Sequence, residues 1–567
     1  MNSGEGGTLQ LGVPGGRFKD LQPDKLRGGY YTSEKLAQWL SSWAIASARD
    51  RVLEPSCGDG VFLDAAAARL ESLGSRGGDT GQIRGIEIVE GEASKARQRL
   101  ESRFGSQAGD AVKTADFFSW WKRNDERFNV VVGNPPFIRY QTFPEPHRSH
   151  AMEIMEQLDL RPNRLTNIWV PFVAASLASL RPGGRLAMVL PAELLQVSYA
   201  GQLRSFLTDR FRRIDLISCN ELFFANAEQE VILLLADGAR EKSSEGFCEV
   251  TLTEAATVAE IVSRPVSEIL NDASPKAIQH DSEKWLKYFL SKEEIGLMRA
   301  LRASNRTTTL KSFADVNVGV VTGRNQFFVL RQSEIDRLDI VDHTIPLVSR
   351  SVHLEGARID VADWQRLARD DERVHLLDLE PLNGSKLTPE LDLYIRQGER
   401  MGIHEGYKCS IRTPWYAVPA VWTPDAFVFR QIYDFPRVVI NAAQATATDT
   451  IHRMRCRADP AQTVANTYTY LTAASAEIEG RSYGGGVLEL EPTEATNLLM
   501  PANLGSAMPL EECDELIRQD RLAEVLEYND RVVLRGHVGL SEKECAQLRA
   551  IWEKMRNRRL SRRRRRS

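Results

Sequence analysis

Cysteine is scarce in this sequence, and its seven cysteines are widely scattered. A disulfide framework, or a zinc site built on thiolates, shows closely spaced and repeated cysteine pairs. No such pair is present. The sequence therefore predicts reduced thiols and no metal site, as in a cytoplasmic protein of a bacterium or archaeon.

Long apolar runs are also lacking. A membrane-spanning helix needs roughly 18 to 20 consecutive apolar residues, and no uncharged run of that length exists here. The first residues, MNSGEGGTLQLGVPGGRF, do not show the basic stretch and apolar core of a secretory signal. We expect no membrane association, and the 42% hydrophobic and 26% charged content is typical of globular domains.

An overall excess of positive charge is missing too, because the formal net charge is −4. Positive charge is instead concentrated at the C-terminus, where residues 555–567 (MRNRRLSRRRRRS) hold eight arginines. Clustered arginine is the usual electrostatic footprint of a nucleic-acid-binding arm. We predict an arginine-rich tail that contacts phosphates, with a disordered solubilising end as the alternative.

Strands and helices alternate between residues 27 and 236. Apolar strands are predicted at 51–57, 83–89, 127–134, 184–191, 212–218 and 230–236. This alternation indicates the α/β class, with a mostly parallel, doubly wound sheet covered by helices on both faces. Such sheets bind ligands at the carboxyl ends of their strands.

The chain is longer than one ordinary core, so several domains are expected. In order, we predict a flexible N-terminus (1–26), the α/β domain (27–240), a linker or boundary region (241–290), an irregular α+β domain (291–510), C-terminal helices (511–555) and the arginine-rich tail (556–567).

The loop after the first strand, residues 54–60 (EPSCGDG), leads into a helix but lacks the glycine and lysine patterns of phosphate-binding loops. Its carboxylates, Glu54 among them, favour a cationic ligand. Glu87 ends the second strand and can accept hydrogen bonds from two ribose hydroxyls, while Asp116 can accept from an adenine amine and Phe117 can pack on the ring. A ligand with a positive centre, a ribose and an adenine but no phosphates is S-adenosylmethionine. For each carboxylate alone, a helix cap or a surface charge is the alternative.

Residues 134–137, Asn134-Pro135-Pro136-Phe137, end a later apolar strand. An exocyclic nucleobase amine is a poor nucleophile because its lone pair is delocalised into the ring. The Asn134 side-chain oxygen and the Pro135 carbonyl can accept its two hydrogens and direct the lone pair at a methyl group. The prolines fix the local φ angles, and Phe137 offers a stacking face for a base taken out of the duplex. An ordinary strand-ending turn is the alternative.

These motifs carry a family resemblance. GGYYTS, VLEPSCGDGVF, GIEI, ADFF, GNPPF, LRPGGRLAMVLP and NELFF resemble, in order, the motifs of the γ-class adenine-N6 DNA methyltransferases of the TaqI type. The resemblance covers about residues 27–236. It implies a class I S-adenosylmethionine-dependent methyltransferase fold followed by a target-recognition domain. Two departures are mild: Phe137 stands where many members have tyrosine, and Cys57 stands where others have a small residue.

The resemblance also implies roles for individual residues. The cofactor-binding residues would be Thr32, Glu54, Ser56, Gly58, Glu87, Ile88, Asp116, Phe117 and Asn134. The catalytic residues would be Asn134, Pro135, Pro136 and Phe137, and Phe223 in NELFF would stack on the target base together with Phe137. We interpret Cys57 as a small packing residue and not as a nucleophile.

The second half of the chain combines basic, amide and aromatic side chains with glycine turns, as in VNVGVVTGRNQFFVL and RTPWYAVP. This composition fits a surface that contacts base edges and phosphates, and the phrases resemble target-recognition domains of larger γ-class enzymes. The candidate DNA contacts are Asn325, Arg350, Arg412, Trp415 and Arg437. Each can instead be a structural turn or core residue.

The sequence thus favours a site-specific adenine-N6 DNA methyltransferase, the modification enzyme of a restriction–modification system. We expect a monomer that acts on double-stranded DNA, with a cognate restriction endonuclease encoded separately. The alternatives are methylation of an RNA adenine or a protein glutamine, and a non-catalytic DNA-binding subunit with a methyltransferase fold.

Overall fold

The computed structural model of the protein describes residues 32–75, 81–162, 166–221, 223, 230–242, 248–273, 275–276, 283–379, 387–483 and 485–561. The chain divides into two compact units, Met1–Glu283 and Lys284–Ser567. Among the described residues, no helix combines the length and the apolar character needed to cross a membrane.

The first unit is built on one eight-stranded sheet. Its strands are β1 (Val52–Glu54), β2 (Ile83–Glu87), β3 (Val112–Thr114), β4 (Phe128–Gly133), β5 (Leu180–Pro191), β6 (Arg213–Cys219), β7 (Val231–Asp237) and β8 (Glu249–Ala255). Its helices are α1 (Glu34–Ala44), α2 (Val61–Ser72), α3 (Glu90–Phe104), α4 (Phe117–Arg123), α5 (His147–Gln157), α6 (Trp169–Ala178), α7 (Glu193–Gln196), α8 (Gly201–Thr208), α9 (Val258–Ser263) and α10 (Val266–Asn271).

The strand order is β3-β2-β1-β4-β5-β7-β6-β8. The strands from β3 to β5 are parallel, and β7 runs antiparallel to both of its neighbours. The chain passes from β1 to β2 and β3 on one side, and β4 lies on the other side of β1. Ligands of open α/β sheets bind at such a reversal of strand order. The predicted doubly wound α/β class is confirmed, and the β1–β4 pair marks where its site should lie.

The division between the two units, after Glu283, lies within the linker or boundary region predicted at 241–290. Part of that region is nevertheless folded into the first unit. Strand β8 pairs in parallel with β6 from Glu249 to Ala255, and apolar residues of α9 and α10, such as Ile261 and Ile269, join the core of this unit. The indole of Trp39 in α1 also donates to the carbonyl of Arg264 at 2.8 Å. The sequence prediction missed these elements because polar and proline-containing stretches flank one short strand.

The second unit has four smaller sheets, with strand orders β10-β19-β15-β17-β13, β11-β14-β12-β18, β16-β21-β20 and β22-β9. The strands are β9 (Thr307–Thr309), β10 (Ala314–Val318), β11 (Val329–Leu330), β12 (Thr344–Val348), β13 (Arg358–Ile359), β14 (His375–Leu377), β15 (Ala426–Phe429), β16 (Gln431–Ile432), β17 (Val438–Asn441), β18 (Thr446–Ala447), β19 (Ile451–Cys456), β20 (Arg481–Tyr483), β21 (Val487–Glu489) and β22 (Leu499–Pro501). This is the irregular α+β arrangement that the sequence predicted.

The helices of the second unit are α11 (Lys292–Ala303), α12 (Asn325–Phe328), α13 (Gln332–Leu338), α14 (Val361–Arg369), α15 (Pro389–Arg400), α16 (Tyr407–Ser410), α17 (Pro460–Thr467), α18 (Tyr470–Glu479), α19 (Pro492–Thr496), α20 (Leu510–Arg518), α21 (Leu522–Asn529) and α22 (Glu542–Leu560). A π-helical segment, Asp530–His537, precedes α22.

The boundary predicted between C-terminal helices (511–555) and tail (556–567) needs correction, because α22 continues to Leu560. Arg559 is 2% exposed and donates to both carboxylate oxygens of Glu477, at 3.1 and 2.5 Å. It also donates to the carbonyl of Tyr433 at 3.0 Å. This arginine therefore belongs to the folded core, and the arginines at 562–566 lie outside the described residues.

Candidate functional site

A cavity of about 390 Å³ opens at the carboxyl ends of β1, β2 and β4. All nine predicted cofactor-binding residues line it: Thr32, Glu54, Ser56, Gly58, Glu87, Ile88, Asp116, Phe117 and Asn134. They come from five separate stretches of the sequence, and the strand reversal brings them together. Pro136 also lines the cavity, whereas Pro135 and Phe137 are not among its lining residues.

The loop between β1 and α2 depends on two glycines with positive φ, Gly58 at 51° and Gly60 at 86°. A Cβ on Gly60 would lie 2.9 Å from the backbone of Ala96 in α3. Glycine there permits the close approach of α3 to the loop, and it avoids the strain that other residues meet at positive φ.

Glu87 is held in place by this loop. One carboxylate oxygen accepts from the backbone N–H of Gly58 and the other from that of Val89, both at 2.9 Å. Burial raises the pKa of Glu87, and the two backbone N–H groups partly offset that effect. Each oxygen retains a second lone pair, so the oriented carboxylate can still accept from two hydroxyls.

Glu54 at the end of β1 is the most unusual carboxylate of the site. It is 2% exposed, and burial raises its pKa well above the ordinary range, with further increases from Asp59 and Glu87. Its Oε2 atom has no hydrogen-bond partner among the described residues. A buried acceptor without a partner is costly, so this position suits a ligand that brings a positive charge or an N–H donor. The amino group and the sulfonium of S-adenosylmethionine meet that requirement.

Asp116 begins α4 and accepts from the backbone N–H of Ser119 at 3.0 Å. The same oxygen lies 3.4 Å from Nδ1 of His147 and 3.3 Å from Nδ1 of His150. Sequence reasoning missed both histidines, because their only signal is a three-residue spacing at the start of α5. They surround the carboxylate that was predicted to accept from the adenine amine.

The neighbouring wall is aromatic. Phe117 stacks on Phe172 of α6, with ring centroids 5.3 Å apart and planes 13° apart. Ile88, which is 46% exposed, also lines the cavity. These flat apolar surfaces beside Asp116 suit a purine ring.

Asn134 follows β4 directly. Its Nδ2 donates to the hydroxyl of Thr32 at 3.4 Å, and its backbone carbonyl accepts from the hydroxyl of Ser56 at 3.4 Å. The side-chain amide is therefore fixed from one side, with its nitrogen directed at Thr32. Phe137 and Phe223, the two predicted stacking aromatics, are half-buried and pack against the same apolar core.

Cys57 behaves as the sequence interpretation expected. It is buried, and its Sγ would lie 3.1 Å from a Cβ placed on Gly85. Burial raises the pKa of its thiol, and the negative charges of Glu54 and Glu87 raise it further. The thiol thus stays protonated and is a packing group.

Among the candidate DNA contacts, three side chains have structural partners. Arg412 donates to the carbonyls of Thr322 and Val321 at 2.8 and 2.7 Å. Arg437 donates to two backbone carbonyls, and Trp415 packs 5.3 Å from Phe327. These side chains are thus engaged in the fold, and their role as direct DNA contacts stays a prediction. Asn325 and Arg350 are exposed and stay predictions.

Comparison with known proteins adds family evidence. Residues 282–534 match the C-terminal domain of Type II methyltransferase M.Eco57I, and residues 73–223 match the Eco57I restriction-modification methylase family. Type II methyltransferase M.AccI of Acinetobacter calcoaceticus is 22% identical over 85% of this chain and 86% of its own length. M.PaeR7I of Pseudomonas aeruginosa is 27% identical over 54% of this chain and 56% of its own length.

Among solved structures, the Type IIL restriction-modification enzyme MmeI, in complex with DNA, has a similar fold. It matches with a TM-score of 0.57 and 13% identity, over 93% of this chain and 75% of its own. The predicted fold, cofactor and restriction–modification family are confirmed. Two regions of the chain thus match Eco57I-type methyltransferase domains, and these findings identify an S-adenosylmethionine-dependent, site-specific DNA methyltransferase of the kind found in restriction–modification systems.

Proposed function

We propose that the protein methylates the N6 amine of an adenine that has left the duplex. The observation that carries this proposal is the position of Asn134: it directly follows β4 and lines the cavity that Glu54 and Glu87 also line. The amide that would accept a hydrogen of the target amine therefore lies beside residues that are predicted to bind the cofactor.

The reaction requires a reshaped nitrogen lone pair. The Asn134 side-chain oxygen and the Pro135 carbonyl would each accept one hydrogen of the target amine, which draws the nitrogen out of conjugation with the ring. The hydrogen bond from Asn134 Nδ2 to the Thr32 hydroxyl supports this arrangement. Because the amide nitrogen is directed at Thr32, the amide oxygen lies on the opposite side of the side chain. Pro135 and Pro136 restrict the backbone that presents the carbonyl.

A duplex base must leave its stack to reach such a site. Phe137 and Phe223 are only partly buried, although both rest on the core of the first unit. We propose that they stack on the extruded base.

S-adenosylmethionine supplies the methyl group when it is bound. Glu54 would accept from its amino group, Glu87 from the ribose hydroxyls and Asp116 from the adenine amine, while Phe117 packs on the adenine ring.

The cysteines disfavour methylation at a base carbon, which needs a thiolate nucleophile. The one cysteine that lines the cavity, Cys57, has a strongly raised pKa. The N4 amine of cytosine is the closest competitor to adenine N6, because both are exocyclic amines.

The test uses purified full-length protein, mixed-sequence duplex DNA and isotopically labelled S-adenosylmethionine. After digestion to nucleosides, mass spectrometry should find the label in N6-methyldeoxyadenosine. Label in N4-methyldeoxycytidine would overturn the choice of base, and label appearing only with RNA or protein substrates would overturn the choice of DNA.

We also propose that the protein is a monomer and that a separately encoded endonuclease cleaves unmodified sites. Light scattering of the purified protein tests the first statement. For the second, sequencing of DNA from expressing cells would map the methylated sequence, and DNA modified there should resist the endonuclease.

A further inference from the structure

We infer that four short segments of the second unit form one duplex-DNA-binding surface, an inference that rests on the proposed function. These segments, called the loop cluster here, are residues 319–325, 349–352, 406–412 and 448–450. The predicted contacts Asn325, Arg350 and Arg412 all lie within them, although they are far apart in sequence.

Direct contacts join the segments. The hydroxyls of Thr448 and Thr450 both donate to the carbonyl of Ser349, at 3.0 and 3.1 Å. The backbone N–H of Asp449 donates to the carbonyl of Val320 at 3.2 Å. A Cβ on Gly319 would lie only 1.9 Å from the carbonyl oxygen of Thr448, so only glycine permits this approach.

The 406–412 segment is attached to the same turn. Arg412 donates to the carbonyls of Val321 and Thr322. A Cβ on Gly323, whose φ is 86°, would lie 2.8 Å from the Cβ of Lys408. Arg412 therefore fixes the surface by joining two of its segments. Ordering these loops before binding lowers the entropy that binding must offset.

The outward side chains are unusual for a solvent-facing surface. Tyr407 is 75% exposed, Ile411 64%, Val352 62% and Val321 38%. They are four of the ten exposed large hydrophobic residues of the described chain, although the loop cluster is a small part of it. Exposed apolar groups that gather in one place mark interaction sites.

The charge of the loop cluster identifies the partner. It holds four cationic side chains, Arg324, Arg350, Lys408 and Arg412, against one carboxylate, Asp449. The first three cations are exposed, in a chain whose formal net charge is −4. Cations around an aromatic and apolar centre suit duplex DNA, because arginine and lysine contact phosphates while aromatic and aliphatic groups enter a groove. An acidic protein partner would account for the cations but not for the exposed ring of Tyr407.

The test measures the binding of a fluorescent mixed-sequence duplex at several salt concentrations. The full-length triple variant Arg324→Ala/Arg350→Ala/Lys408→Ala should bind more weakly. Each phosphate contact that it loses should also flatten the dependence of log affinity on log salt by about 0.9. Tyr407→Ala should bind several-fold more weakly with an unchanged slope.

Arg369→Ala and Tyr433→Ala are matched controls, because both side chains are exposed in the same unit but outside the loop cluster. All variants should keep the wild-type unfolding midpoint and cofactor affinity. A triple variant whose salt line coincides with that of the wild type would overturn the inference, as would controls that lose as much affinity. A wild type that binds duplex DNA through this surface but methylates no DNA would refute the proposed function and not the surface.

Discussion

Replacing Glu54 by glutamine should change cofactor affinity and protein stability in opposite directions. The substitution preserves the size of the side chain and removes its charge. In the structure this carboxylate is buried, lies near Asp59 and Glu87, and has one oxygen without a partner among the described residues. Its ionised form is therefore destabilised in the free protein, and a bound cationic ligand would stabilise it.

The binding effect follows from the lost charge. A hydrogen bond to a charged group contributes about 1.5–3 kcal/mol, which corresponds to a roughly 10- to 150-fold weaker Kd for S-adenosylmethionine in Glu54→Gln. Isothermal titration calorimetry measures this directly. Glu71→Gln is a suitable control, because Glu71 is exposed on α2.

The stability effect follows from the raised pKa of Glu54. The ordinary glutamate pKa is about 4.5, and the folded value lies well above it. Since the folded state holds the proton more tightly, wild-type stability falls as pH rises from about 4.5 through the folded pKa. Glutamine does not titrate, so the variant should unfold at higher temperature than the wild type at pH 8, and the difference should shrink at pH 5.

Thermal unfolding at both pH values, with and without saturating cofactor, completes the test. Bound cofactor should narrow this difference at pH 8, because ligand stabilisation grows with the ratio of ligand concentration to Kd and the wild type binds more tightly. A variant with wild-type cofactor affinity would refute the role of Glu54 in the site. A variant less stable than the wild type at pH 8 would show that the buried charge is compensated in the free protein.

Three further predictions concern the proposed role of Asn134 and the C-terminus. Asn134→Ala should lower methyl transfer by about 10²–10³-fold, as loss of a transition-state hydrogen bond does, with DNA and cofactor affinities within a few fold; near wild-type turnover would contradict its role. Arg559→Ala should destabilise the second unit by about 3–5 kcal/mol in urea, because it leaves the Glu477 carboxylate buried without its partner; an unchanged midpoint would show that water replaces the pair. Truncation after Ser561 should leave that midpoint unchanged but flatten the salt dependence of DNA binding by about 0.9 per lost contact; parallel salt lines would show a tail that does not bind DNA.

The residues of the cavity could be predicted from sequence because they follow strands of one predicted parallel sheet. Glu54, Glu87 and Asn134 each end or directly follow an apolar strand, and the carboxyl ends of neighbouring parallel strands must lie together. His147 and His150 could not be predicted in the same way. They reach Asp116 only through the packing of α5, and no short pattern distinguishes them from surface histidines.

The arginines show why the second half resists such prediction. A guanidinium carries five donors in a planar fork, so it can bind either phosphates or backbone carbonyls, and composition does not distinguish the two. Arg412 and Arg559 satisfy carbonyl or carboxylate acceptors inside the fold, whereas Arg324 and Arg350 are exposed. An arginine is bonded within the fold where another part of the chain places acceptors within its reach. In the irregular sheets of this unit, such acceptors lie far away in the sequence. Only the three-dimensional structure therefore separates the arginines that hold the fold together from those that are exposed.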